Sequence, residues 1–193
     1  MNSMKRGRDK FNKYKVIISA ISYIYNIFPY AMRRYLYELH CGQKGNLGLV
    51  FRYAILKTIA KSIGDNVGIH PYVTLKGVEN LKIGDNVSIH SYGYVDATGG
   101  VTIGNNVSLG NGVSIISFEH NFGDIITPIK DQGHTNKPII IEDNVYTGSK
   151  VTILGGALIK TGCIIGANAV VSKSIPAYSI AVGIPAKVIK SRK

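Results

Sequence analysis

At 193 residues the chain is long enough for one domain with an appendage, and it can bury a core without covalent staples. A hydrophobic fraction of 45% with 18% charged residues excludes general disorder, and two cysteines exclude a disulfide scaffold or a Cys/His zinc spacing. The net charge of +12 is concentrated: residues 1–61 hold twelve Lys/Arg against two acids, whereas residues 62–193 hold eleven against nine. The expected division is therefore a basic segment, 1–61, joined to a nearly neutral body, 62–193, and nucleic acid is not an expected partner of that body.

The chain opens on a basic run at residues 5–15, followed by an apolar and aromatic stretch at 16–32 and by Arg33 and Arg34. A stretch of this length stands at the short edge of a membrane span, and Asn26 and Pro29 interrupt it. Four readings are open: a cleaved signal, a spanning anchor, one or two helices packed on the body, or a surface helix drawn to anionic lipid through residues 1–34. No small-residue cleavage site follows the stretch, which counts against the signal. The expected location is cytoplasmic, with a peripheral contact at the inner face of the membrane as the extension of the last reading. A further helix is expected over roughly Leu47 to Ser62, with Leu49, Val50, Tyr53, Ala54, Leu56 and Ile59 as its apolar positions. His40 and Cys41 receive no catalytic role.

Periodicity decides the fold of the body. Aliphatic residues recur at Ile63, Ile69 and Leu75, then Ile83, Ile89 and Val95, then Ile103, Leu109 and Ile115. A second block runs Ile141, Thr147, Ile153, Ile159, Ile165, Val171 and Ala177 at steps of six. Neither a strand, of period two, nor a helix, of period 3.6, repeats in this way. A chain that turns a corner every six residues does. Three short strands then close a triangular coil, the aliphatic position points inward, and equivalent positions stack. Small residues four places on, Cys163 among them, fit the corners. Gly-Asp-Asn clusters suit turns with unusual backbone angles. The expectation is an all-β parallel β-helix of about five coils carrying an N-terminal helical segment. The rhythm lapses between Ile115 and Ile141, so residues 117–138 leave the coil as an excursion loop.

The loop SFEHNFGD (117–124), the segment KPIIIEDNVYTGSKVTILGG (137–156), the stretch IIGANAVVSKSIP (164–176) and the tail VGIPAKVIK (182–190) carry a resemblance. Over residues 60–193 the chain resembles the hexapeptide-repeat acyltransferases, and more narrowly the branch of maltose, galactoside and capsule polysaccharide O-acetyltransferases. The resemblance implies a left-handed β-helix, a homotrimer with sites between subunits, and acetyl-CoA as acyl donor without a required metal. It further implies acetyl transfer to a saccharide hydroxyl, in surface polysaccharide synthesis. N-acetylation of an amino sugar is the second reading. Departures fall at Glu142, Tyr146, Thr147, Gly155, Lys160 and Asn168, on the repeat faces and the coenzyme groove.

By the same resemblance His120 matches the catalytic histidine, and a base near neutrality is what a hydroxyl attacking a thioester needs. Asp96 falls where an acid contacts sugar in the family; a corner-holding aspartate is the equal alternative. Gly148 and Ser149 match the position whose backbone N–H faces the thioester oxygen, Ala167 a position beside the pantetheine arm, Ser172 and Lys173 a Thr-Lys pair, and Lys187 and Lys190 basic tail residues near the coenzyme phosphates. His134 is read as a solvated loop residue, and Glu119 either orients His120 or faces solvent. His70 and His90, like Tyr72 and Tyr92, lie one coil apart and should stack outward. Tyr92 is thereby a candidate acceptor contact. Two histidines without a third ligand leave a zinc lyase of this fold as a minor alternative.

Overall fold

The computed structural model describes residues 7–192; Lys5 and Arg6 of the basic run lie outside the described residues. Three helices precede the body: α1 (Gly7–Asn26), α2 (Tyr30–Leu39) and α3 (Gly45–Ile59). The apolar stretch at 16–32 is thus two helices and not one. Pro29 divides them, since proline bars its predecessor from helical angles and offers no N–H to the helix behind it. It sits at φ −56° and ψ 151°, immediately ahead of α2. Among the described residues no helix is long and apolar enough to cross a membrane.

The helix expected over Leu47 to Ser62 begins and ends slightly earlier, because Ala60 is already extended and Ser62–Ile63 is the first strand. α1 and α2 both pack on α3, and α3 packs on the first coil. Its Ala54, Ile55, Leu56 and Ile59 are buried and close the N-terminal end of the coil core. Two tyrosines tie the helices to the body through their hydroxyls: Tyr37 donates to the Val73 carbonyl at 3.0 Å and Tyr53 to the Gly64 carbonyl at 2.9 Å.

Arg52 is fully buried in α3, and among the described residues it has no acidic partner. Backbone carbonyls take its place. Nε donates to Ile69 at 2.7 Å, and one terminal nitrogen donates to His40 and Gln43, each at 2.7 Å. One side chain thereby fastens the α2–α3 turn to the first coil. The carbonyl oxygens stabilise the guanidinium but do not cancel the cost of burying it, and burial lowers its pKa.

The body is a parallel β-helix with three faces. The first stacks Ile63 on Ile83, Ile103, Ile141 and Ile159. The second stacks Ile69 on Ile89 and Leu109, and Thr147 on Ile165 and Ala181. The third stacks Leu75, Val95, Ile115, Ile153 and Val171. Nearly every one of these side chains is buried, each worth roughly 1.5–3 kcal/mol of transfer free energy for an aliphatic residue. The corner between the first and second faces needs left-handed backbone in each coil. Asn66, Asn86, Asn106 and Asn144 supply it at φ between 54° and 59°, the region asparagine tolerates best among side-chain-bearing residues.

Within the second block, from Ile141 on, the six-residue step fails at the last coil. Ala177 was the expected inward position, but Ile175 bridges Ile159 and Ala181 pairs with Ile165. The corner after Val171 is cut short, so the closing coil holds two residues fewer than its predecessor. Residues Ser179–Val182 then turn back into Lys187–Ser191, an antiparallel strand that finishes the second face.

Candidate active site

The excursion leaves the coil where the third face turns into the first. Ser117 stays buried and holds the exit: its hydroxyl donates to the Asp96 carbonyl at 2.8 Å and accepts the Gly99 N–H at 2.9 Å. Beyond it, Phe118–His120 pairs antiparallel with His134–Asn136, so the loop is a hairpin with a defined stem. Its tip is ordered by its own polar groups. Asp124 accepts from the Ile126 N–H and the Thr127 hydroxyl, while the Gln132 amide donates to the carbonyls of Asp124 and Thr127.

Strand alternation puts Phe118 and His120 on one side of the stem and Glu119 on the other. The Phe118 ring packs edge-on against His120 at 5.6 Å between centroids and tilted against His134 at 5.1 Å. His134 is thus His120's direct cross-strand partner, a relation that sequence reading missed because the pairing register of an excursion leaves no periodic trace. The His120 imidazole is exposed and makes no hydrogen bond among the described residues. Glu119 does not orient it. The glutamate pairs with Lys137 instead, on the far side of the strand.

Asp96 is buried, and its carboxylate is spent on its own corner. One oxygen accepts from the Thr98 N–H at 3.1 Å and the Thr98 hydroxyl at 2.6 Å, the other from the Tyr94 hydroxyl at 3.1 Å. Of the two sequence readings, the geometry supports the corner-holding one: three local donors engage a buried carboxylate.

The corner between the second and third faces has a different character. It stacks His70, His90, Gly110, Gly148, Gly166 and Val182 in one column and Tyr72, Tyr92, Gly112 and Lys150 in another. The imidazoles of His70 and His90 lie 4.6 Å apart at 22°, and the rings of Tyr72 and Tyr92 lie 5.2 Å apart at 10°. Tyr92 is 68% exposed. Burial first, then His90 and the Arg52 guanidinium, hold the His70 imidazole below its ordinary pKa. Among the described residues no group of three or more His, Cys, Asp or Glu is gathered that could hold a metal ion.

Above the aromatic rungs the corner turns small. A Cβ on Gly148 would meet the Ala167 nitrogen at 2.5 Å, so successive coils approach as closely as backbone allows. Asn168 N–H bonds to the Ser149 carbonyl at 2.9 Å and Lys150 N–H to the Asn111 carbonyl at 2.7 Å. The N–H groups of Asn111, Ser149 and Ala167, on successive coils, have no acceptor among the described residues. Thr147, an unusual residue for an inward position, bonds its hydroxyl to the Gly110 N–H at 3.0 Å, which explains how it is tolerated in the core. Lys187 lies opposite Val182 at the top of this corner, and Lys190 lies further along the same exposed strand.

Ser172 and Lys173 do not share that corner. They follow Val171, and so sit with the hairpin on the corner between the third and first faces. One chain therefore splits the candidate residues in two. His120, Ser172 and Lys173 occupy one edge, and Tyr92, Gly148, Ser149, Ala167 and Lys187 the other. A separate cavity of about 230 Å³, lined by Phe11, Tyr14, Ile18, Leu49, Val50 and Tyr53, lies under α1 at the first coil and contains none of these residues.

Residues 138–173 match the family described as bacterial transferase hexapeptide, six repeats. The repeat body is similar to the hexapeptide-repeat transferases. A 79-residue stretch, 41% of this chain, is 49% identical to a probable acetyltransferase of Mycobacterium tuberculosis, of which it covers 26%. In three dimensions the hexapeptide-repeat body with its helices is similar to a maltose O-acetyltransferase from Clostridium difficile, with a TM-score of 0.77 and 26% identity over 85% of this chain and 86% of that one. It is similar also to a galactoside acetyltransferase in complex with coenzyme A, with a TM-score of 0.76 and 25% identity over 85% of this chain and 80% of that one. The fold of these neighbours is the left-handed β-helix that the resemblance implied.

Proposed function

We propose that the protein transfers the acetyl group of acetyl-CoA to a saccharide hydroxyl, with His120 as general base, in a trimer whose sites lie between subunits. The observation that carries the reading is the division of the candidate residues between two edges. Ser149 and the hairpin exit are separated by the full third face, on the order of 15 Å at 3.3 Å per residue. A base must reach its proton at hydrogen-bond distance. If the hairpin edge of one chain meets the small-residue edge of the next, a threefold ring closes and every site is completed. Phe122, Ile125 and Ile126 stand exposed on the hairpin, apolar surface that an adjoining subunit would cover. Both sugar-modifying neighbours are named for such transfers, and one is a complex with coenzyme A.

In this scheme the pantetheine arm runs along the row of free N–H groups. The Ser149 N–H donates to the thioester oxygen and gains strength as that oxygen becomes anionic. The His120 imidazole takes the acceptor's hydroxyl proton as the oxygen forms its bond to the acetyl carbon. The tetrahedral intermediate then collapses, the carbon–sulfur bond breaks, and the imidazolium returns the proton to the departing thiolate. Lys187 and Lys190 meet the coenzyme phosphates as point charges, with Ser172 and Lys173 approaching from the neighbouring chain. Tyr92, stacked on Tyr72 one coil below the groove, offers a flat face to the acceptor.

The test is acetyl-CoA turnover against a panel of sugars. The panel includes free hexoses, amino sugars and the repeat unit of a surface polysaccharide, with the product bond identified by mass and NMR. Ester formation on a hydroxyl supports the reading. Amide formation on an amino sugar favours the second one, and no turnover with any acceptor removes both.

A further inference from the structure

α1 is apolar on two opposite sides, and only one of them is used. Phe11, Ile18, Ser22 and Tyr25 recur at helical spacing and turn inward, where Ile18 is buried and Phe11 and Tyr25 pack on the core. At 100° per residue, Val16, Ile17, Ala20, Tyr23 and Ile24 form a second stripe on the other side of the helix, and Ile27 follows in the turn just past its end. All six are exposed, with Val16 at 82%, Tyr23 at 74% and Ile27 at 72%. On the helix this stripe is about 12 Å long at 1.5 Å per residue, and nothing among the described residues covers it. Burying one side of a helix explains one stripe. A second, continuous stripe in the open asks for an occupant.

We propose that the outer stripe of α1 lies in the interface of an anionic lipid bilayer and holds the enzyme at the membrane surface. Charge selects this occupant. Residues 1–34 contain eight Lys/Arg and a single acid, Asp9, with six of the bases ahead of the stripe at Lys5, Arg6, Arg8, Lys10, Lys13 and Lys15. A second copy of this chain would bring the same surplus of positive charge against the first, whereas anionic headgroups neutralise it. Length selects the orientation. The stripe covers less than half of a hydrocarbon core of about 30 Å, and no described helix can cross one, so α1 lies along the surface. Tyr23 is amphipathic, with an apolar ring and a polar hydroxyl, and suits the headgroup level. α2 adds exposed Met32, Tyr35 and Leu39 at spacings of three and four.

Flotation of the full chain with vesicles tests this. Pure phosphatidylcholine is compared with phosphatidylcholine containing about a third phosphatidylglycerol, at about 0.1 M and about 1 M salt, where the Debye length falls from about 10 Å to about 3 Å. Binding is expected on the anionic vesicles at low salt and is expected to weaken at high salt. The variant Ile17→Gln/Tyr23→Gln/Ile24→Gln keeps the inward stripe and is expected to bind more weakly by about tenfold per side chain removed. Its helical content and assembled mass are expected to match the parent. The proposal is overturned by absence of binding to anionic vesicles at low salt or by undiminished binding of the variant. A changed assembled mass in the variant overturns it too, since the stripe would then be a contact between subunits.

Discussion

His120 stands directly across the hairpin from His134, and the Phe118 ring lies against both imidazoles. The pairing fixes where the His120 ring can swing, because the antiparallel ladder sets the backbone and Phe118 blocks one side. Replacement of His120 by alanine is expected to lower kcat by about 10²–10⁴ while leaving coenzyme affinity nearly intact, since the lost contribution is proton transfer in the transition state. Phe118→Ala keeps the base but frees its ring, and a smaller loss, about tenfold, is expected. Steady-state kinetics on both variants check the pair; full activity in His120→Ala removes the assignment.

The division of the site between two edges has a consequence that mixing can read. Ala167 is exposed on the small-residue edge, so Ala167→Trp fills the groove without entering the core. His120→Ala and Ala167→Trp are each expected to be inactive as pure trimers. In an equal mixture with random exchange, about a quarter of the interfaces join an intact His120 to an intact groove, by the head-to-tail contact of a threefold ring. Recovery of about that fraction of parent turnover is expected after subunit exchange is confirmed by mass. No recovery would mean that both residues act from one chain.

Legibility followed repetition. The stacked positions from Ile63 to Val171 could be read from the sequence because each coil imposes the same inward-facing requirement. His70 and His90, or Tyr72 and Tyr92, were legible as stacked pairs for the same reason. Features made by a single event were hidden. The register of the hairpin, the spent carboxylate of Asp96 and the shortened last coil at Ile175 each depend on one local path of the chain. The splitting of Ser172 from Ala167 was hidden in a different way: five residues along the chain is one whole face of a triangle, so near neighbours in sequence fall on different edges.

Arg52 is the clearest case of a contact without a sequence pattern, because its partners are carbonyls of His40, Gln43 and Ile69 and not side chains. Arg52→Leu preserves most of the volume but strands these acceptors in a buried junction. A loss of about 3 kcal/mol is expected, from carbonyl groups left unpaired away from water. Denaturant unfolding measures it. A loss below 0.5 kcal/mol, small on the scale of about 1–3 kcal/mol per stranded group, would show that the junction rehydrates.

His70 couples the same junction to pH. Burial, then His90 and the Arg52 guanidinium, depress its pKa in the folded protein, whereas the unfolded chain returns it to about 6.5. Between the folded and unfolded values the unfolded state binds more protons. Stability therefore rises with pH through that window and is lost as pH falls below about 6.5, because folding must then strip a proton from the imidazole. The alternative, charging His70 in place, would set a second cation beside Arg52. The melting temperature of the parent is expected to drop between pH 7 and pH 5 more steeply than that of His70→Gln, which retains a polar side chain of similar reach but does not titrate. Thermal denaturation of the two proteins across that range, at constant ionic strength, checks the sign. Parallel curves would place the acid sensitivity elsewhere and leave the His70–His90 stack a packing feature alone.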